Sequence, residues 1–268
     1  MPRSHMRRDS TTTTGMLDAS RKHRDLLIPL VVASGISLGL YLDADASPGF
    51  QLALGMVAWA FLLLLLAAER MPVRLQVAVA VLFATIGEHF ASPFLGAYIY
   101  RFENVPAYVP PGHGMVYLGA LALARSAFMH RFQSGFKYSA LLLGGAWSLW
   151  GVAFAERTDS TGALLFCVFA VFVFLGRSPF LYLAAFFLTS YLELVGTWLG
   201  TWRWALQEPV SGLSQANPPS GIAAWYCLVD AVALSGGALL GQALACLPRF
   251  FARLTGAPEP GSASEGSV

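Results

Sequence analysis

The chain has 268 residues, of which 56% are hydrophobic and only 12% charged, and its formal net charge is +2. The charged fraction is about half that of an ordinary soluble domain, and the mean hydropathy is +0.59. A water-soluble globule of this size cannot hide so much apolar surface, whereas a bilayer accepts it on the outside of helices. The near-neutral balance gives no electrostatic basis for nucleic acid as a partner.

Residues 1–24 are polar and basic, with a threonine run from Thr11 to Thr14, and read as a disordered cytoplasmic tail. Eight apolar stretches follow, at about 26–42, 50–68, 73–91, 112–130, 138–155, 161–176, 179–197 and 220–246. Each is near the roughly 20 residues needed to cross about 30 Å of hydrocarbon. Residues 255–268 form a second polar tail. The expected fold is an all-α integral membrane protein with eight transmembrane helices.

Basic residues near the stretch ends give the orientation. Arg7, Arg8, Arg21, Lys22 and Arg24 precede the first stretch. Arg70 and Arg74 follow the second, Arg125, Arg131 and Lys137 the fourth, Arg177 the sixth, and Arg249 and Arg253 the eighth. The alternate connections mix acids with few bases: Asp43 and Asp45, Arg101 with Glu103, Glu156 with Arg157 and Asp159, and Arg203 with Glu208. This places both termini in the cytoplasm, and a bacterial inner membrane is the expected location. A competing reading takes residues 1–46 as a signal peptide cleaved near Ala44-Asp-Ala46, but the apolar stretch is long for that purpose.

An internal repeat runs through the chain. Glu88 is followed by Gly96 and by Tyr98-Ile-Tyr100-Arg101; Glu193 is followed by Gly200 and by Trp202-Arg203-Trp204. Pro110-Pro111 then precedes Tyr117 by the same six residues that separate Pro218-Pro219 from Trp225. The expected halves are 25–136 and 137–254, two parallel four-helix repeats. An even number of spans relates such repeats by an axis along the membrane normal. The long loops at about 92–111 and 198–219 are rich in aromatics, prolines and glycines and read as ordered extracytoplasmic lids.

Glu88 and Glu193 are the leading candidates for chemistry, because an ionisable group at membrane depth is costly. Two carboxylates in one apolar site suit a general acid and a general base. The bland alternative is a structural hydrogen bond from each glutamate to its loop. Asp230, near the middle of the last stretch, is a third candidate. His89 and His113 flank the first loop as hydrogen-bonding or substrate-binding groups; a metal held by them with Glu88 and Asp230 is the less favoured reading, and no cofactor is expected. Tyr98, Tyr100, Trp198, Trp202 and Trp204 either wall a site, where their π faces would shield a cation, or anchor the interface. Arg101 and Arg203 occupy matching positions to meet lipid headgroups or the glutamates. Asn217 is placed to cap the last helix. Gly35-x-x-x-Gly39 and Gly237-x-x-x-Gly241 fit close helix packing. Cys167, Cys227 and Cys246 read as free thiols packed like small apolar groups.

Pro93-Phe-Leu-Gly-Ala-Tyr98-Ile-Tyr100 followed by Val105-Pro106-Ala-Tyr-Val109-Pro110 resembles a pattern in carotenoid-biosynthesis integral membrane proteins of the carotenoid hydratase type. An extra leucine separates Phe94 from Gly96, and Gly112-His113-Gly114 stands where that pattern has an apolar, aromatic helix start. The resemblance implies an isoprenoid-like lipid substrate and lyase chemistry of the hydratase kind. Alternatives are a transporter or lipid-binding protein with a central polar site between the repeats, and a non-catalytic assembly subunit. The almost uniformly apolar inner halves of the stretches favour the enzyme over the transporter.

Overall fold

The computed structural model describes the backbone of residues 10–255 and the side chains of 23–247. Among these residues the chain is almost entirely helical. In order come α1 (Ser10–Asp43), α2 (Pro48–Ala67), α3 (Met71–His89), a π-helical turn (Phe90–Phe94), β1 (Tyr98–Tyr100), α4 (Val109–Arg125), the short α5 (Ala127–Arg131), α6 (Gln133–Ala153), α7 (Ser160–Leu175), α8 (Pro179–Trp198), β2 (Trp202–Trp204) and α9 (Ala223–Thr255). Among the described residues five helices are long and apolar enough to cross a membrane: His23–Asp43, Pro48–Ala67, Met71–Phe94, Pro179–Trp198 and Ala223–Leu247. Their outward faces carry Leu30, Leu38, Leu64, Leu82, Ile86 and Leu239, each more than half exposed. Lipid can cover such a surface where water would penalise it.

Local signals explain the boundaries. Ser47 accepts the Phe50 N–H as the N-cap of α2, and Asp159 accepts the Gly162 N–H as that of α7. Prolines stand in the first turns of α2, α3, α4 and α8, where the missing N–H costs nothing. Pro93, inside the extension of α3, has no N–H to give, and the turn widens so that Leu95 N–H reaches Phe90 O at 2.9 Å.

Helices α3, α4, α8 and α9 form the centre: α3 packs on α9 and α4, and α8 on α4 and α9. The fully buried Tyr117, Leu118 and Leu183 fill the middle of this core. Helix α2 packs on α4 and α7 on α9, while α1 lies along α4 and α8. At one end Arg125 donates to Asp25 and to Glu69, which also receives Arg24, tying α1, the end of α2 and α4 together. At the other end β1 and β2 pair antiparallel, with Tyr98 opposite Trp204, Ile99 opposite Arg203 and Tyr100 opposite Trp202.

Several expectations are corrected. Residues 10–24 belong to α1 rather than to a disordered tail; residues 1–9 and 256–268 lie outside the described part. The stretch at 112–130 is not one helix, because Ser126 adopts an extended backbone, ends α4 and caps α5 through the Met129 N–H. Helix α9 starts at Ala223, beyond Pro218 and Pro219, so Asn217 is not at its N-cap. Gly237 meets α3 closely at Gln76, but a Cβ at Gly39 would meet nothing within 4 Å, so that glycine is not a packing contact. Of the cysteines only Cys227 is buried; Cys167 and Cys246 are exposed.

Candidate functional site

Each glutamate reaches its site by the same local route. It lies late in its helix, and the chain then turns through a glycine with positive φ, Gly96 at 70° and Gly200 at 72°. Only glycine adopts that backbone readily. A three-residue strand begins two residues later. Side chains of a strand alternate between faces, so both aromatics of each aromatic–x–aromatic triplet point inward, while Ile99 and Arg203 point outward. The repeated sequence pattern thus encodes a two-stranded roof with four rings beneath it.

Those rings hold the carboxylates. Tyr98 and Tyr100 both donate their hydroxyls to Glu88 Oε2 at 2.7 Å, and His113 Nε2 hydrogen-bonds Glu88 Oε1 at 2.8 Å. Trp202 and Trp204 donate their indole N–H groups to Glu193 Oε2 at 3.0 and 3.1 Å. Among the described residues Glu193 Oε1 has no hydrogen-bond partner, whereas both Glu88 oxygens are engaged. Burial lifts the Tyr98 and Tyr100 hydroxyls well above the ordinary phenol range, and the negative charge of Glu88 adds to it. They therefore stay protonated, as donors to a carboxylate must. Both glutamates are buried and line one cavity of about 550 Å³. Its other walls include His113, Trp225, Tyr226 and Gly112. Tyr226 stacks on the His113 ring at 5.1 Å.

The loops beyond the roof are ordered by two buried aspartates. Asp43 accepts from Gln51 Nε2 at 3.0 Å and from the Tyr108 hydroxyl at 2.8 Å, with Arg101 alongside at 3.8 Å. Asp159 accepts the backbone N–H groups of Gly162, Ala216 and Ser220. Arg157 donates to the carbonyls of Trp204, Ala205 and Gln215. Gln215 in turn donates to Ala97 O at 2.9 Å, joining the second loop to the first.

Of the residues singled out in the sequence, the structure brings together Glu88, Glu193, His113, Tyr98, Tyr100, Trp202 and Trp204. It does not bring in the rest. His89 is exposed and bonds Thr85 O on its own helix. Trp198 is 83% exposed. Arg101 donates to Asp43 O and Ala46 O, and Arg203 faces outward, so neither meets a glutamate. Asn217 accepts the Trp204 N–H and so braces β2 instead of capping α9. Asp230 is buried with Oδ2 unpartnered, but it does not line the cavity. His89, His113, Glu88 and Asp230 consequently do not converge on one point.

Sequence reading missed Trp225, Tyr226, Asp43, Asp159, Arg157 and Gln215. Asp159 carried a usable signal, an acid just before an apolar run, which is the mark of an N-cap. The others became recognisable only when the loops were seen folded. Comparison of the chain with protein-family models, with curated proteins and with solved structures finds no match.

Proposed function

We propose that the protein is an integral membrane enzyme acting by acid–base chemistry on an apolar isoprenoid or related lipid. One observation carries the reading: two buried glutamates with opposite hydrogen-bond environments share an aromatic-walled cavity. Glu88, with three donors around it, suits the ionised base. Glu193, with two indole donors on one oxygen and its other oxygen free, suits the acid.

In this reading Glu193 Oε1–H protonates one carbon of an isolated alkene, breaking its π bond and leaving a tertiary cation on the other. The rings of Tyr98, Tyr226, Trp202 and Trp204 shield that cation through their π faces. A water adds to the cation as Glu88 removes one of its protons, and transfer of that proton back to Glu193 restores the site. The net change is addition of water across the double bond, as the resemblance to carotenoid hydratase-type proteins implies. The walls are almost wholly carbon, which agrees with an apolar substrate.

The architecture that goes with this reading has eight spans in two parallel four-helix halves, with both termini cytoplasmic and the site in the extracytoplasmic half of a bacterial inner membrane. Two features support it: each of the eight apolar stretches lies largely in helix, the fourth divided at Ser126 between α4 and α5, and the β1–β2 register is symmetric about Ile99 and Arg203.

The test is mass spectrometry of lipids and pigments from cells with and without the gene, repeated with Glu88→Gln and Glu193→Gln. A metabolite should change by the mass of one water and revert in both variants. If both variants express well and leave every metabolite as in the wild type, the enzyme reading fails.

A further inference from the structure

The cavity reaches the outer surface of the helices on one side. Gly35, Leu38, Gly39 and Leu42 of α1 and Leu54, Val57, Ala58 and Phe61 of α2 all border it. Their spacing is that of two facing helical stripes. The helices meet at Gly35, where a Cβ would lie 3.1 Å from the Phe61 ring, and again at the Asp43–Gln51 hydrogen bond; between these levels a Cβ on Gly39 would meet nothing within 4 Å. The rim residues Leu38, Leu42 and Val57 are exposed to 59%, 41% and 65%. Between α6 and α7 the Phe166 ring packs directly against Gly144.

We propose that the gap between α1 and α2 at Gly39 is the window through which the substrate enters from the bilayer. This rests on the reading of the cavity as a site for an apolar isoprenoid or lipid. The occupant is a single linear apolar chain, with its reacting part between the glutamates and its remainder trailing through the window into lipid. Two observations fix this choice. A cavity of about 550 Å³ holds a molecule of drug size, whereas a chain resident in a bilayer about 30 Å thick is longer and needs somewhere to continue. The window is also bordered by two glycines, five aliphatic side chains and Phe61, none of which carries a side-chain hydrogen-bond donor, so nothing in it retains a polar headgroup.

The experiment places the full-length protein in lipid nanodiscs with a geranylgeraniol analogue that carries a diazirine on its terminal unit. Adducts are mapped by peptide mass spectrometry after photolysis. The wild type should label on Trp225 or Tyr226 inside as well as on Leu42 or Val57 at the rim. Gly39→Phe should lose the interior adducts, while Gly39→Ala, whose Cβ meets nothing, retains them. Val57→Trp, which blocks from the opposite rim at an already exposed position, should repeat the loss should Gly39→Phe fold poorly. Interior labelling that survives both blocking variants, or wild-type labelling confined to the outer belt, overturns the window. Because the readout is occupancy, it separates from the reading beneath it. Interior labelling that persists in Glu193→Gln with no metabolite change leaves the window standing and removes the enzyme. Lost conversion in the glutamate variants alongside unblocked labelling does the reverse.

Discussion

Tyr98 and Trp204 face each other across the β1–β2 pair with ring centroids 4.6 Å apart, and each hands its polar hydrogen to a different glutamate. The Tyr98 hydroxyl goes to Glu88 and the Trp204 indole N–H to Glu193. This single contact couples the two halves of the chain at their most expensive groups. It also makes the two carboxylates chemically unlike, because two phenols and an imidazole meet Glu88 where two indoles meet Glu193.

Replacing Tyr98 and Tyr100 together with Phe leaves Glu88 with His113 alone. Hydrogen bonds to a charged group are worth about 1.5–3 kcal/mol each, and more is lost when the acceptor stays buried. The double variant should therefore unfold at clearly lower temperature in detergent, by several degrees. Trp204→Phe removes only one neutral donor from Glu193 and should shift the midpoint less. An equal shift in both would contradict the unequal roles assigned to the two glutamates.

Arg157 and Arg203 should behave in opposite ways despite their closeness in space. Arg157→Ala strips three carbonyls of their donor and should cost about 1–3 kcal/mol. It should also open the segment after β2 to proteolysis. Arg203 points outward, and Arg203→Ala should stay within about 0.5 kcal/mol. Thermal melts with limited proteolysis measure both. A large effect at Arg203 would restore the sequence expectation that it meets a buried acid.

Gly96→Ala and Gly200→Ala each force a side chain into a left-handed backbone, at a cost of about 1–2 kcal/mol. The roof would then present its aromatics poorly. Both variants should fall in stability, by amounts similar to each other. Gly49→Ala, at a helical position where a Cβ meets nothing, should be neutral or slightly stabilising.

The turn at Glu208 should be sensitive to acid. Its slight burial works to raise the carboxyl, but hydrogen bonds from the Ser211 hydroxyl and from the Ser211 and Val210 N–H groups outweigh it. The carboxyl is held below the usual carboxylate range. Such a group contributes order that is present above its unfolded pKa and lost as pH falls through the lower folded value. Hydrogen exchange of residues 208–215 should be unchanged from pH 8 to 5 (after correction for intrinsic rate) and rise only below about pH 4. Glu208→Gln should remove the dependence.

The sequence alone determined the membrane-compatible composition, the positions of the apolar helices and the recurring glutamate–glycine–aromatic pattern. These are properties of local order: helices follow from apolar runs and caps, and the glycines from a backbone that other residues avoid. Residues whose role depends on a partner far along the chain were decided by tertiary structure. Arg101 and Arg203 look equivalent in sequence, yet one is turned to the Asp43 loop and the other to the exterior. The partner on the second loop is instead Arg157, from before α7. Asp230 looks as costly as the glutamates, but it lies a turn beyond Tyr226 and does not line the cavity. The pairing of β1 with β2 joins residues about a hundred positions apart. Only that pairing brings Glu88 and Glu193 under one roof, because each strand is too short to be stable without the other.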